Sequence, residues 1–478
     1  MPGRARSIPA MSEQPISAET RARARQACAD ALALARLGPG GTAWAVVGWA
    51  CDLPRQPIAL FTAEVGRRRL GWSAASDQWL LGVGEAWEHA ASGPGRIAAV
   101  ATAAARMTAR CVVAAPDDAP AGPCLMHALA FEERAPAASH WGPSLPGMRT
   151  VLPRRLAWRR GDGSGWRFAA TAVAAGEQVD DAVARLFAPI AKPDVAPTAP
   201  WPTPATDYTT LVEDATSLIR DGALRKVVLA RAVDVALPTG YRHDLALARL
   251  REACDPASTL YACDLDDGTV FVGATPELLF AVDGARLTTM ALAGSSRRSA
   301  DPAEDRRLAA ALHASTKERK EHGVVVEHLA AVLRPRCAPF TVPSTPRIRE
   351  LPRLFHLETA LEAELTTGDH LELLGALHPT PAVCGLPTPM ALSWLARHER
   401  LHRGLYAGAL GWSTPAACRF AVALRGGIVD LAGRRARLFA GAGIVETSDA
   451  QAELAETELK LRVMRIALGM DTGGEAGG

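Results

Sequence analysis

The chain is poor in lysine, in aromatic side chains and in any surplus of charge. Only five of its 53 basic residues are lysine, at 192, 226, 317, 320 and 460. Basic and acidic residues nearly cancel, 53 against 51. Without a basic surplus there is no electrostatic footprint for nucleic acid or an anionic membrane, which favours a small-molecule role. No apolar run reaches the roughly 18 residues that a membrane span requires. The nine cysteines, at 28, 51, 111, 124, 254, 263, 337, 384 and 418, include no CxxC pair. Their odd number reads as reduced intracellular thiols in a cytoplasmic protein, not as a disulfide frame or a zinc site. Arg4, Arg6, Arg21 and Arg23 are followed by no apolar segment, which argues against a secretory signal and leaves Met11 as an alternative start.

What is present is ordinary globular material: 478 residues, 48% apolar and 22% charged. That length allows up to three domains or one large α/β unit. The scarcity of lysine gives each one weight, because a desolvated lysine can lose its proton and an arginine cannot. Codon drift explains the same scarcity and suits Lys192.

Residues 1–20 read as a disordered tail and 21–37 as a helix stopped by Gly38-Pro39-Gly40-Gly41. From 42 to 180, short apolar runs alternate with turn clusters, and Trp72, Trp79 and Trp87 read as core. Residues 96–107 fit strand or helix equally. Six prolines between 187 and 205 mark a crossover. They divide an N-terminal part, 21–200, from a second part, 201–470, with 471–478 as a flexible tail. A helix is expected over 208–220 and strands over 226–235, 269–273 and 286–292. Asp301-Pro302-Ala303-Glu304 opens a helix expected to run to Arg334, with Leu308, Leu312, Val326, Leu329 and Leu333 as its apolar stripe. Further strands are expected at 405–412, 418–425 and 436–440. A last helix should start near Ser448, with Gln451 as its capping partner, and end before Gly469.

Several residues carry possible chemistry. Glu318 and Glu321 share a helix face, as do Glu453 and Glu456. Four such carboxylates could hold a hard divalent cation such as Mg²⁺. Two solvated faces satisfy the same spacing, with Glu318 beside Lys317 and Arg319, and Glu456 pairing Lys460. Gly441-Ala442-Gly443 reads as a turn whose bare backbone can approach an anion. Arg425, at the end of an apolar strand, could clamp a carboxylate or could be a surface residue before a turn. Lys226 and Glu277 stand among apolar neighbours, where burial would lower the one pKa and raise the other, making a base and an acid. Sequence alone does not bring these two together.

These pieces occur in an order that resembles the chorismate-utilising enzymes: the isochorismate, salicylate, anthranilate and aminodeoxychorismate synthases. The resemblance runs from about Tyr208 to Leu468. It rests on the runs 226–231 (KVVLAR), 273–279 (GATPELL), 315–322 (STKERKEH), 378–382 (HPTPA), 439–445 (FAGAGIV) and 453–460 (ELAETELK). It implies one intertwined α/β (α+β) domain, two antiparallel sheets in an α–β–β–α sandwich, with the site between them. It further implies that Glu321 and Glu456 bind Mg²⁺ directly, with Glu318 and Glu453 holding its waters. Arg425, Tyr406 and the backbone of Gly441, Ala442 and Gly443 would bind the carboxylates of chorismate. Lys460 would support the metal end, and His378, Thr380, Ala382 and Leu424 would wall the substrate. Lys226 and the 378–382 run are similar to the branch that adds water, the isochorismate synthases, with Lys226 as base and Glu277 as acid. That branch needs no glutaminase subunit. A salicylate synthase, an ammonia-using relative and an inactive chorismate-binding protein are the alternatives.

Overall fold

The structure is a computed structural model that describes residues 16–470, apart from 39, 65–67, 75–76, 137–138, 142–144, 192–200, 203–206, 266 and 367–368. The expected tail over 1–15, the last residues 471–478 and most of the proline-rich crossover lie outside the described residues. Helix Ala18–Leu37 begins earlier than expected, because Ser17 caps it by accepting from the Thr20 N–H.

Strand pairing builds two ladders. The first runs Cys111–Ala114, Thr42–Ala50, Gly165–Ala174, Met148–Arg159, Gln78–Ala91 and Arg69–Ala74. It continues through Thr259–Asp264, Val270–Thr275, Gly426–Asp430, Arg435–Ile444, Lys226–Ala236 and Gly385–Leu386. The second runs Leu125–Leu129, Ala409–Ser413, Ala417–Val422, Leu278–Asp283, Arg286–Arg297 and Leu354–Leu365. All the pairings just described are antiparallel except that of Thr42–Ala50 with Cys111–Ala114. The ladders are joined: Met148–Arg159 has Leu125–Leu129 on its first half and Gly165–Ala174 on its second half. The two parts of the chain also interleave, since Arg69–Ala74 pairs with Thr259–Asp264 and Leu125–Leu129 with Ala409–Ser413.

Alternation along the strands sorts the core into layers. Phe280, Phe420 and Phe439 meet in the main core between the ladders. On the next residues of the same strand, Leu438 and Ala440 pack outward with Leu461 and Met464 of helix Ala450–Leu468. Helix Ala18–Leu37 covers Thr42–Ala50 and Gly165–Ala174 in the same way. Trp72 and Trp79 are buried and Trp87 packs against the core, as expected. The result is the expected sandwich of mixed helix and antiparallel sheet.

Several boundaries differ from expectation. Residues 96–107 settle as helix Arg96–Thr108. The expected strand 405–412 is a turn up to Gly408, and Gly426–Asp430 is an added strand. The last helix is capped by Asp449, which accepts from the Ala452 N–H, and not by Ser448. The long helix expected from 301 to 334 is two helices, Pro302–Ala314 and Thr316–Leu333. Ser315 ends the first and caps the second, where its hydroxyl accepts from the Glu318 N–H at 3.3 Å. Ser-Thr-Lys-Glu has the capping-box spacing, of which the Ser315 half is made, so the chain restarts its helix there. Replacing Ser315 with Ala should cost about 1 kcal/mol, read as a lower urea midpoint. Ser315→Asp should restore the midpoint. No change in Ser315→Ala would mean that packing alone holds the break.

Candidate active site

One cavity of about 740 Å³, its mouth included, lies between the ladders. Ten of the sixteen residues singled out in the sequence line it: Glu277, Glu321, Ala382, Tyr406, Leu424, Arg425, Gly441, Gly443, Glu456 and Lys460. Lys226 lies just beneath. It is 0% exposed and faces the same side of its strand as Val228 and Ala230, which do line the cavity. Its Nζ forms an ion pair with Glu321 Oε1 at 2.9 Å.

The glycines at 441 and 443 are not a turn. They sit within strand Arg435–Ile444, opposite Ala230 and Val228. Their role is space: a Cβ on Gly443 would come within 2.3 Å of Glu321 Oε1 and 2.9 Å of Lys226 Cε. Ala442 alternates to the other face, so only its backbone could serve the cavity. Arg425 is not at a strand end either. It occupies the bend between Ala417–Val422 and Gly426–Asp430, at φ 50, with its carbonyl accepting from the Ala274 N–H. Beside it, the Tyr261 hydroxyl donates to the Leu424 carbonyl at 2.8 Å.

The two carboxylate pairs reach the cavity from two helices. Helix Thr316–Leu333 is stapled to the second ladder by His322, whose Nδ1–H donates to the Ala293 carbonyl at 3.2 Å while Nε2 accepts from Thr359 at 2.7 Å. Burial holds this imidazole neutral, with its pKa down to about 4. A β-bulge at Gly294, φ 79, turns the adjoining strand so that the Ser295 N–H donates to Glu318 Oε2 at 3.1 Å. On helix Ala450–Leu468, Lys460 Nζ reaches Glu456 Oε1 at 2.5 Å and the Gly441 carbonyl at 2.8 Å. Burial would raise Glu456, but Lys460, Ser295 and His356 hold its pKa down to about 2. Lys317 Nζ bridges the helices, 3.0 Å from Glu453 and 3.6 Å from Glu318. Glu318 is pushed up to about 7, by burial first and by the Glu321 charge next. Glu453 is raised by burial and by Glu456.

Three lysines thus answer the four carboxylates. Among the described residues, no three His, Cys, Asp or Glu side chains are gathered as a ready metal site. The donor set nonetheless fits a hard cation: carboxylate oxygens only, from two helices, repelling one another strongly enough to raise Glu318. Glu321 and Glu456 face the cavity, and Glu318 and Glu453 stand behind them.

Glu277, between strands Val270–Thr275 and Leu278–Asp283, is buried. Burial raises its pKa to about 7, against the opposing charges of Lys226, Arg425 and Lys460. The structure therefore brings this acid and Lys226 to one cavity. His378 and Thr380 do not line it. Thr380 builds a turn, accepting from the N–H groups of Ala382, Val383 and Cys384. His378 faces a second cavity on the far side of that turn.

Two groups escaped the sequence reading. His356 has no metal-ligand spacing in the sequence. Its Nδ1–H donates to the Gly294 carbonyl, leaving Nε2 to accept from Arg425 Nη2 at 3.3 Å, so it aims the guanidinium. Its pairing opposite Ser295 puts it there, and that register is not written in the sequence. Arg403 is buried against Glu399 at 2.6 Å and donates to the carbonyls of Val383 and Val228, two walls of the cavity. Their i, i+4 spacing was legible, but their burial was not.

The chain has relatives over most of its length. A model of the chorismate binding enzyme family matches residues 46–469. The chain belongs to that family. It is 38% identical over 281 residues to isochorismate synthase DhbC of Bacillus subtilis, covering 57% of this chain and 70% of that one. It is 37% identical over 267 residues to isochorismate synthase EntC of Escherichia coli K12, covering 55% and 68%. The solved structure of MenF, the menaquinone-specific isochorismate synthase of Escherichia coli, superposes with a TM-score of 0.71 at 25% identity, over 93% of this chain and all of that one.

The buried pair yields a stability test. Arg403→Met removes the guanidinium that Glu399 holds at 2.6 Å and should cost about 3–5 kcal/mol in urea unfolding. Adding Glu399→Leu should recover part of the loss. A cost near zero would mean that water reaches Glu399.

Proposed function

We propose that this protein is an isochorismate synthase, an isomerase that converts chorismate reversibly to isochorismate. The observation that carries the reading is the meeting of Glu277, Lys226 and the Glu321 and Glu456 carboxylates, from four separate elements, at one cavity that also holds Arg425 and Tyr406. The isochorismate synthases among its relatives support the same reaction.

Chorismate is a dianion, and the cavity offers cations for it. Arg425, aimed by His356, and the backbone beside Gly441 receive carboxylate oxygens. Phe439, stacked on Tyr406 at 5.2 Å, gives the ring an apolar face. Glu321 and Glu456 would hold Mg²⁺, with Glu318 and Glu453 behind them. When bound, the ion supplies positive charge that anchors a substrate carboxylate and quiets the repulsion among the four glutamates.

Lys226 removes a proton from water as the oxygen attacks C2. The ring double bonds shift, and the C4 hydroxyl departs with the proton of Glu277, so water added at one carbon balances water lost at another. Lys226 can serve as base because an amine can give up its proton inside a protein, whereas a guanidinium cannot. The setting this reading implies is a cytoplasmic enzyme that works without a glutaminase subunit. It accords with nine free thiols and with the absence, among the described residues, of any helix long and apolar enough to cross a membrane.

Purified protein incubated with chorismate and Mg²⁺, with and without ammonium, should give isochorismate in equilibrium with chorismate. Salicylate with stoichiometric pyruvate would assign a salicylate synthase instead, and an aminated product formed only with ammonium would assign the ammonia-using branch. Excess chelator should stop turnover, as should Glu456→Gln.

Lys226→Arg keeps the charge but cannot act as a neutral base, so kcat should fall by at least 10³-fold, on the order of general-base contributions. Ordinary kinetics in that variant would remove Lys226 from the mechanism.

The acid sets the pH profile. A carboxyl with its pKa raised to about 7 is protonated below that value and loses its proton as pH rises through it. The acid form is the working form, so kcat/KM should decline above pH ~7, tenfold per unit for a single lost proton. The residual rate of Glu277→Gln should lack that limb. An identical alkaline limb in the variant would assign it to another group.

A further inference from the structure

Behind Ala382 and Val383 lies a second cavity, about 2030 Å³ with its mouth, for which the proposed reaction has no use. Three buried polar groups face it without hydrogen-bond partners among the described residues. They are both ring nitrogens of His378, Nε2 of His140 and Nε of Arg96. The three side chains are 7%, 3% and 6% exposed. Buried polar atoms left unpaired cost stability, and native chains keep few of them. Three turned into one space mark it as a candidate ligand site.

The surroundings indicate its chemistry. Helix Arg96–Thr108 starts at this wall with Gly95 as an uncapped N-cap and no acidic residue in its first turn, so its positive end is open to an anion. Arg134 and Arg400 stand exposed at the rim, with no ion pair among the described residues. The nearby acids are engaged. Glu133 lies 3.4 Å from Arg96 Nη1, Glu132 accepts from the N–H groups of Arg403 and Gly404, and Glu399 holds Arg403. The rest of the wall includes Ile97, Phe131, Leu392 and Leu395. Convergent donors beside these apolar side chains suit a ring that carries a carboxylate better than a bare phosphate.

We propose that this cavity binds a small cyclic carboxylate, held inside by Arg96 and His378 and drawn in by Arg134 and Arg400, and that its occupancy slows turnover in the neighbouring site. The partition offers a route. Glu399 faces the second cavity, whereas its partner Arg403 faces the first and holds the carbonyls of Val228 and Val383. His140 also stacks at 5.6 Å on Phe439, which lines the first. The coupling rests on the function proposed above; the binding does not.

Salicylate and benzoate are the probes, with inorganic phosphate as control. Calorimetric titration uses Mg²⁺-loaded Lys226→Arg protein saturated with chorismate, so that the catalytic cavity is filled while turnover is stopped. One salicylate site should persist, weakened at least tenfold by Arg400→Asn and by His378→Leu, with phosphate at least tenfold weaker. Asn tolerates the positive φ of residue 400. Leu removes an unpartnered imidazole, so the thermal midpoint of His378→Leu should hold or rise, which separates lost binding from lost folding. In wild-type turnover, salicylate should lower kcat without raising KM. Arg400→Asn should abolish that effect and leave the basal rate unchanged. Full displacement of salicylate by chorismate, unchanged affinity in both variants, or phosphate binding equally well would each overturn the proposal. If chorismate does not bind Lys226→Arg protein, the dependence of salicylate binding on Arg400 and His378 still decides the second site.

Discussion

A buried ammonium dictates much of this molecule. Lys226 has no exposed surface, and an ion cannot be held there without a counter-charge within reach. Glu321 supplies it from a helix that belongs to the other ladder. That contact requires the empty space at Gly443, a helix restarted at Ser315 so that its first turns face inward, and His322 to fix the helix to its sheet. Lys317 and Lys460 repeat the solution for the other carboxylates. The site is thus a set of mutually neutralising charges whose members come from separate elements. None of them is tolerable where it stands without the rest.

This arrangement also explains why arginine does not replace lysine here in a chain that otherwise prefers arginine. A guanidinium is a flat fork that wants two acceptors in its plane. The space above Gly443 admits a slender stem ending in one compact charge, and Lys317 bridges two glutamates as a point charge between them. Where arginine does serve the cavity, at 403 and 425, it has a carboxylate or an imidazole and backbone carbonyls to meet the fork or aim it.

Much of this was legible in the sequence, and the failures share a cause. Lysine scarcity, paired glutamates at i, i+3 and the order of six short runs pointed to the residues that now share a cavity. Glycine misled at 441–443, because the missing side chain can mean freedom to turn or room for a neighbour, and only the fold decides which. Helix continuity misled at 315, where apolar periodicity spans a capping box. The resemblance of the 378–382 run placed His378 on the substrate together with Ala382, yet the intervening turn at Thr380 sends the two to opposite sides of one wall. His356 and the pair Arg403–Glu399 depend on strand register and burial, which no local pattern states.

The strand shared by the two ladders has a consequence for how the molecule comes into being. Leu129 finds its partner in Ala409, 280 residues further along, and Arg69–Ala74 waits for Thr259–Asp264. During synthesis the first half emerges with open sheet edges whose mates have yet to be made. Such long-range pairings close slowly, and an unmatched edge invites contact with other chains. The interleaving that locks catalytic groups from four elements into one rigid frame therefore makes the nascent chain dependent on protection until its last third has left the ribosome.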